Sequence, residues 1–224
     1  MADLHRDRSR TVVINTNQME WQPSPSPGVW RKRLELVGDA EKGMVTSVVR
    51  FDPGAGFPMH DHPLGEEVLV LDGVFADEFG SYPKGTVTLL PTGSRHAPQT
   101  DEGALLFVKL CQYPGEARPT LRVDTGKDGG WTEIKPGLER LYVFDEAGYP
   151  EKMWLTRMAP GTIADDHVHE GGEEVFVMEG ELRDADGRYP AGTWMRFADG
   201  SRHQPFSDTG CTLYVKTGHL KVAA

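Results

Sequence analysis

Two small groups of histidine and glutamate residues are the places where this sequence could do chemistry. The first group has His60, His62, Glu66 and His96. Alternate side chains of a strand share a face, so the first two imidazoles point the same way, and Glu66 keeps that parity if the strand resumes after residues 63–65. His96 follows Glu66 by thirty residues and can return on a neighbouring strand. Three imidazoles and one carboxylate suit Zn²⁺, Fe²⁺, Mn²⁺ or Ni²⁺.

The same pattern recurs 107 residues later with identical internal spacing. The second group is His167, His169, Glu173 and His203. An ungapped comparison of residues 54–96 with residues 161–203 gives 19 identities in 43 positions. Unrelated segments would match at roughly one position in fifteen. The sequence therefore predicts a tandem duplication with one metal site in each copy.

Length, composition and charge exclude several classes of protein. The 224 residues divide into two units, each long enough to bury a core. No apolar run approaches the roughly 18 residues of a membrane-spanning helix, and the charged start of the chain has no secretory signal. The net charge of −10 disfavours nucleic-acid binding. We expect a cytoplasmic protein that contacts neither membranes nor nucleic acids.

Short strand patterns separated by turn signals every 8–12 residues or so predict an all-β sandwich or barrel, with no amphipathic helix of useful length. Pro114, Pro119 and the glycines at 129–130 indicate a linker between the copies. The expected organisation is an N-terminal arm at 1–20, a first unit at 21–112, a linker at 113–130 and a second unit at 131–224.

Strand alternation also assigns the neighbours of the ligand candidates. The glutamates at 67 and 174 should point out of the fold, to the surface or to a supporting role behind the ligands, and Arg95 and Arg202 should face away from the following histidine and form salt bridges. Four valines share the inward parity of the ligand glutamates and should form core or pocket wall: Val68, Val70, Val175 and Val177. The facing of Trp194 and Phe197 is not fixed by the pattern.

The two groups of ligand candidates lie within motifs that resemble those of cupins. The first motif is Gly54-x5-His60-x-His62-x3-Glu66-x6-Gly73, and the second is Gly85-x5-Pro91-x-Gly93-x2-His96. The second copy repeats both motifs, with Ala198 where the second motif prefers proline. Over residues 18–218 the chain is similar to the cupin domain of ChrR anti-sigma factors. The shared segments include Pro27-Gly28-Val29-Trp30, Gly65-Glu66-Glu67-Val68 and Gly93-Ser94-Arg95-His96.

This resemblance implies two tandem double-stranded β-helix barrels of the cupin, or jelly-roll, type, each holding one divalent metal. ChrR-type regulators also carry a helical, zinc-binding anti-sigma domain with a His-x3-Cys-x2-Cys motif. Here no cysteine follows His5 until Cys111, and too few residues precede Trp21 for a helical bundle. Binding of a sigma factor is therefore not expected from this sequence.

Two functional hypotheses follow. The first is a metal-binding bicupin that senses or processes a small oxidised or carbonyl molecule. The alternative is a non-haem metal-dependent dioxygenase acting on a diketone or an aromatic ketone. Zinc would suit hydrolysis or sensing and iron would suit dioxygen chemistry, whereas the ligands alone leave the metal open. No organic cofactor and no acid or base beyond the ligands is indicated. The expected partner is a small molecule, and the oligomeric state is left open, a homodimer included.

Overall fold

Strands make up nearly all the regular structure. The computed structural model describes residues 3–39, 42–127 and 129–220. From the N-terminus, the strands are β1 (Val12–Asn15), β2 (Gln22–Pro23), β3 (Val29–Val37), β4 (Met44–Phe51), β5 (His60–His62), β6 (Glu66–Asp77), β7 (Gly80–Pro83), β8 (Thr86–Leu90), β9 (Ser94–His96), β10 (Ala104–Leu110) and β11 (Leu121–Asp124). A short 3-10 helix, Thr16–Gln18, follows β1.

The second half repeats this succession. Its strands are β12 (Thr132–Lys135), β13 (Leu138–Phe144), β14 (Lys152–Met158), β15 (Thr162–Ile163), β16 (His167–Val168), β17 (Glu173–Arg183), β18 (Arg188–Pro190), β19 (Thr193–Phe197), β20 (Arg202–His203), β21 (Phe206–Ser207) and β22 (Cys211–Thr217). No helix in the described ranges is long and apolar enough to cross a membrane.

The chain divides into two compact units. The first takes the described residues of 1–6 and 19–128, and the second takes those of 7–18 and 129–224. In the first unit the main sheet runs β11-β8-β6-β10-β4-β3-β2, and β7 pairs with the far end of β6. In the second unit the order is β1-β19-β17-β22-β14-β13-β12. All these pairings are antiparallel, and they confirm the expected all-β architecture of two tandem barrels.

The first strand of each copy, here called its leading strand, pairs in the sheet of the other copy. The strand β1 precedes the first copy but pairs with β19 in the second unit, with Val12 opposite Arg196. The strand β11 precedes the second copy but pairs with β8 in the first unit, with Leu121 opposite Leu89. Positions 89 and 196 are equivalent, 107 residues apart, so each leading strand occupies the same place in the other copy's sheet. The arm at 1–20 and the segment at 113–130 thus each contribute one strand to a barrel.

A β-bulge redirects the long strand that begins at each ligand glutamate. In the first unit, the register of β6 with β10 shifts between Leu105 and Leu106, and Gly73 follows the bulge with a φ of 73°. A Cβ atom on Gly73 would lie 2.1 Å from the carbonyl oxygen of Gly103, so two chain segments approach here as closely as glycine allows. Gly180 has the same role in the second unit, where β17 shifts register against β22.

Each barrel has its own apolar interior. The first is built from Val29, Val49, Phe51, Ala55, Val68, Val70, Phe75, Tyr82, Ala104, Leu106 and Val108. The second contains Trp154, Met158, Val175, Val177, Leu182, Tyr189, Met195, Phe197, Cys211, Leu213 and Val215. The four valines expected to point inward are therefore all part of these interiors.

Candidate metal centres

The first histidine cluster lies where β5 and β9 pair. His60 is directly opposite His96 in that pairing, and His62 lies two residues along the same face. The three rings have centroids 4.8–5.2 Å apart, and one nitrogen from each lies within 4.8 Å of the others. Glu66, at the start of β6, brings its Oε2 atom to 3.4 Å from His62 Nε2 and 3.3 Å from His96 Nε2. The three histidines thus form one compact group, and Glu66 approaches two of them, His62 and His96.

The second cluster has the same construction on β16, β17 and β20. His167 is opposite His203, and the ligand-capable atoms of its four members all lie within 4.8 Å of one another. Glu173 Oε1 lies 3.5 Å from His169 Nε2 and 3.8 Å from His203 Nε2. All four predicted side chains of the second unit therefore form one compact group, whereas the compact group of the first unit is its three histidines.

In three of the histidines, a hydrogen bond at Nδ1 orients the ring so that Nε2 points toward the centre of the cluster. His60 Nδ1 donates to the carbonyl oxygen of Pro58, and His167 Nδ1 donates in the same way to Asp165, both at 2.9 Å. His169 Nδ1 lies 2.9 Å from the hydroxyl oxygen of Ser201. With Nδ1 engaged in this way, Nε2 is the nitrogen left to bind a metal ion.

A carboxylate and a tyrosine support the last histidine of the first set. His96 Nδ1 lies 3.2 Å from Asp77 Oδ2, and the hydroxyl of Tyr82 donates to the other oxygen of the same carboxylate at 2.7 Å. Arg122, on the exchanged strand β11, donates in turn to the Tyr82 oxygen at 2.9 Å. This chain of contacts holds the His96 ring in one orientation.

The second unit repeats the support with equivalent residues. Asp184 Oδ2 lies 3.1 Å from His203 Nδ1, and Tyr189 donates to Asp184 Oδ1 at 2.8 Å. Carboxylate–histidine pairs of this kind commonly orient metal ligands and raise their basicity. Sequence reasoning missed both aspartates and assigned the tyrosines no role at the metal site. The signal was present, because each pair is identical in the two copies at the 107-residue offset.

The polar atoms at the centre of each cluster are buried without hydrogen-bond partners. In the first unit these are His62 Nε2, His96 Nε2 and Glu66 Oε2, and in the second they are His169 Nε2 and His203 Nε2. Buried nitrogen and oxygen atoms are costly to leave unsatisfied. A divalent cation bound between them would satisfy all of them at once. The side chains present therefore fit a metal ion of the kind that the sequence indicates.

Charge is unevenly distributed over the first cluster in the absence of a metal. Burial opposes ionisation, but the neighbouring carboxylates of Asp77 and Glu66 raise the pKa of His96 to about 9. Burial lowers the pKa of His62. For Glu66, burial is outweighed by the neighbouring His62 and His96, which hold its pKa below the ordinary value. In the second cluster, burial lowers the pKa of His169 to about 4.

A cavity of about 660 Å³ lies beside the first cluster. His60, His62 and Glu66 line it, and most of the remaining wall is apolar. The largest apolar side chains in that wall are Phe51, Phe57, Phe75, Leu106 and Leu110. Phe57 also packs edge-on against His60, with ring centroids 5.9 Å apart. The first cluster can thus be reached by a small, partly apolar molecule.

Bulkier side chains occupy equivalent places in the second barrel. Ser47, which lines the first cavity, is replaced by Trp154, and Trp154 packs with the other apolar side chains of that interior. Leu90 is replaced by Phe197, whose ring lies 4.8 Å from that of His169 and 4.6 Å from that of His203. The two copies therefore share their ligand sets but differ in the space around them.

The remaining sequence expectations have mixed outcomes. Arg95 and Arg202 pair with Asp61 and Asp166 on the surface, which confirms their salt-bridge role. The expectation that the second glutamates could reach the surface is wrong, because Glu67 is 3% and Glu174 0% exposed. Glu174 is instead covered and accepts a hydrogen bond from Trp194 Nε1 at 2.7 Å.

Comparisons with solved structures reveal the same fold in proteins of low sequence identity. A Nostoc punctiforme protein provisionally named a dioxygenase has a TM-score of 0.77 and 16% identity, covering 96% of this chain and 85% of its own. A provisionally named glyoxylate-induced protein from Pseudomonas aeruginosa has a TM-score of 0.75 and 13% identity, covering 98% and 94%. A mutant of Bacillus subtilis oxalate decarboxylase has a TM-score of 0.65 and 14% identity, covering 98% and 80%.

A family comparison identifies the repeated unit. The family model described as "ChrR Cupin-like domain" matches residues 9–114 and again residues 121–221. A search of curated proteins found no match. The first matched range begins shortly before β1 and the second begins at the first residue of β11, so the family unit comprises a leading strand followed by a barrel. The chain therefore belongs to the ChrR cupin-like domain family and contains two copies of that domain.

Proposed function

We propose that the first unit binds a divalent metal ion through His60, His62, Glu66 and His96, and that a small carbonyl compound binds beside it, to be sensed or processed there. The observation that carries this proposal is the cavity of about 660 Å³ that opens onto the histidines. A buried metal site that no ligand could reach would serve only the stability of the fold. Access to this one supports a role that involves a ligand.

The residues around the ligand set have definite tasks in this proposal. A divalent ion in this place supplies a Lewis acid that can polarise a carbonyl oxygen. Asp77 holds His96 in the orientation that presents Nε2, and Tyr82 holds Asp77. The phenylalanines of the wall exclude water from the bound molecule, which strengthens electrostatic interactions inside the cavity.

For the second unit we propose metal binding by His167, His169, Glu173 and His203 with a mainly structural role. Trp154 and Phe197 fill positions that are open or smaller in the first barrel. A metal ion there would tie β16, β17 and β20 together. Ligand binding is accordingly assigned to the first unit.

A second candidate function is a dioxygenase acting on a diketone or an aromatic ketone. The aromatic wall of the first cavity favours it, because Phe51, Phe57 and Phe75 form a surface suited to a flat apolar substrate. Iron in the first site would supply the dioxygen chemistry that zinc lacks. The metal that the protein takes up therefore distinguishes the two candidates.

The test begins with untagged protein and its metal content by mass spectrometry. Apoprotein reloaded with Zn²⁺ or with Fe²⁺ is then titrated with 2,4-pentanedione, and oxygen consumption is followed with an electrode. Metal-dependent binding without oxygen uptake supports the sensor, and oxygen uptake by the iron form alone supports the dioxygenase. Binding that is unchanged in metal-free protein would contradict both. His60→Ala serves as the control that lacks the first site.

A further inference from the structure

The leading strand of the second copy contributes a side chain to the support of the first metal site. On β11, Arg122 lies opposite Thr88 of β8 and donates from Nε to the Tyr82 oxygen at 2.9 Å. Its guanidinium carbon lies 4.9 Å from the centroid of the Phe79 ring and 5.9 Å from that of Tyr82. Arg122 is therefore placed by one hydrogen bond and two aromatic rings, at the outer end of the contacts that lead through Tyr82 to His96.

This arginine determines the direction of the hydrogen bond that reaches Asp77. Arginine has N–H donors and no acceptor, so the Tyr82 hydroxyl cannot donate to Arg122 and must accept from it. The phenolic hydrogen then points to Asp77 Oδ1, which lies 2.7 Å away. The other oxygen of that carboxylate is left for His96 Nδ1 at 3.2 Å. Because hydrogen bonds in series polarise one another, a charged donor at the outer end also strengthens the bond to Asp77.

The second copy has the aspartate and the tyrosine but not the arginine. Val13 on β1 lies opposite Met195 of β19, and position 195 follows position 88 by 107 residues, so Val13 takes the place of Arg122. The Tyr189 hydroxyl donates to Asp184 at 2.8 Å, and among the described residues no side chain donates to the Tyr189 oxygen. The arginine thus belongs to the barrel that has the ligand-accessible cavity.

The surroundings of Arg122 do not explain it as an ordinary surface charge. Within the described ranges it forms no salt bridge, and Asp124, the acid on its own strand, pairs with Lys127 at 3.3 Å. Packing over Phe79 needs only the stem and the flat face of the guanidinium, so it leaves the direction of Nε open. An Nε–H aimed at the oxygen of Tyr82, a residue only 5% exposed, therefore indicates a task in the interior.

We propose that Arg122 is a positioning residue of the first metal site, acting through Tyr82 and Asp77 on His96, so that the leading strand of the second copy controls how tightly the first barrel holds its metal. This inference rests on the proposed function and concerns the regulation of the same site. β11 is a four-residue strand at the edge of its sheet. Displacement of β11 from β8 would remove Arg122 from Tyr82, so the docked strand and the metal ion stabilise each other, as reciprocal coupling requires.

The experiment measures metal binding at the first site of full-length protein whose second site has been removed by His167→Ala. Competition with a coloured chelator gives the affinity for Zn²⁺, and the visible absorption spectrum of bound Co²⁺ reports the arrangement of its ligands. The variants compared in this background are Arg122→Val, Arg122→Lys, Tyr82→Phe and the double variant Arg122→Val with Tyr82→Phe. The matched control is Lys127→Met, which removes a positive charge from the turn after β11. Valine is the residue of the second copy at this place, so Arg122→Val should fold, and urea denaturation of the metal-free protein verifies it.

Arg122→Val should weaken Zn²⁺ binding by about 3- to 10-fold, less than the roughly 10- to 100-fold typical of direct partners of metal ligands, and should alter the Co²⁺ spectrum. Arg122→Lys keeps a charged donor and should recover part of the affinity, whereas Lys127→Met should leave it unchanged. In protein that carries Tyr82→Phe the arginine has no hydroxyl to bind, so adding Arg122→Val should have no further effect on the affinity.

Two results would overturn the assignment of Arg122 and leave the proposed function standing. One is a Zn²⁺ affinity and a Co²⁺ spectrum that Arg122→Val does not change. The other is an equal loss of affinity with and without the Tyr82 hydroxyl, which would assign the effect to packing over Phe79. Failure of the unsubstituted protein to bind Zn²⁺ at all would overturn the proposed function itself.

Discussion

Asp77 Oδ2 lies 3.2 Å from Nδ1 of His96. The carboxylate is 3% exposed and the imidazole 2%, so water does not compete for the contact. Their partners in the second copy, Asp184 and His203, have the same relation at 3.1 Å. Two copies that differ at most positions of the barrel interior have kept this pair, which indicates that it serves the metal site and not packing alone.

We therefore expect Asp77→Asn to weaken metal binding at the first site by about 10- to 100-fold, because the amide keeps the shape but not the charge that raises histidine basicity. Competition with a coloured chelator measures the affinity. Asp124→Asn, which removes a carboxylate from β11 of the same unit, is the control. An affinity equal to that of wild type would show that Asp77 has no role in holding the metal.

The two metal sites should be independent. His60→Ala should lower the metal content to the second site alone, and His167→Ala should do the reverse, since each cluster is built within one unit. Mass spectrometry of the intact protein under native conditions counts the ions. Loss of both ions from either variant would mean that one site is needed for the other to form.

Metal binding at the first site should release a proton. Without a metal, burial opposes ionisation, but the carboxylates of Asp77 and Glu66 raise the pKa of His96 to about 9. This ring is therefore charged at neutral pH, and the ion must displace its proton from Nε2. Affinity should then rise with pH up to about 9. Calorimetry of His167→Ala in buffers of different ionisation enthalpy counts the protons, and Asp77→Asn should release fewer. A binding constant independent of pH between 7 and 9 would contradict this.

The raised pKa of His96 should also make the stability of the metal-free protein depend on pH. A histidine whose folded pKa is raised above the unfolded value of 6.5 stabilises the fold fully below that pH. The contribution is lost as the pH rises through about 9. Urea denaturation of metal-free protein across this range should show it, and His96→Gln should remove the pH dependence that this group causes.

Filling the first cavity in the manner of the second barrel should separate metal binding from ligand binding. Ser47→Trp places an indole where the second copy has Trp154, so it should block the ligand while zinc content stays at the wild-type level. The cavity limits the cost in stability to about 1–3 kcal/mol. Ser47→Ala is the control for loss of the hydroxyl. Undiminished binding of 2,4-pentanedione by Ser47→Trp would place the ligand elsewhere.

Substitution of Gly73, which follows the β-bulge in β6, should destabilise the protein by more than its positive φ alone explains. Gly73→Ala forces a methyl group to within 2.1 Å of the Gly103 oxygen, so we expect a loss of about 2 kcal/mol or more in the free energy of unfolding. Gly54→Ala is a matched control, with a similar φ of 76° and open space around its Cβ position, and should cost about 1 kcal/mol. Equal losses in urea denaturation would assign the whole effect to backbone conformation.

The sequence predicted the ligand sets because they depend on local geometry. The parity of His60 and His62 and the repeated spacing are enough to place these rings on one face. Asp77 was not foreseen, because its contact with His96 depends on how the ends of β6 and β9 meet in space. The bulky side chains that fill the second barrel were not predicted either, because Trp154 lies outside the two cupin motifs of that copy.

The exchanged strands escaped prediction for a different reason. Val12–Asn15 and Leu121–Asp124 are four residues each, too short for their pattern to specify a partner. Which sheet edge such a segment joins is decided by tertiary structure. The boundaries expected for the arm and the linker therefore followed composition and not the pairing of these strands.

Because β1 pairs in the second unit and β11 pairs in the first, separating the two halves of the chain would leave unpaired strand edges in both. A fragment beginning at residue 129 would have β19 as a bare sheet edge, and one ending at residue 112 would leave β8 in the same condition. Bare edges recruit strands from other molecules, and so invite aggregation. A fragment that keeps its own leading strand has no sheet edge for that strand within the same molecule. The strand could pair only with β19 or β8 of a second molecule. Separate expression of the halves should thus yield entwined pairs or precipitate, and only the uncut polypeptide satisfies both edges within itself.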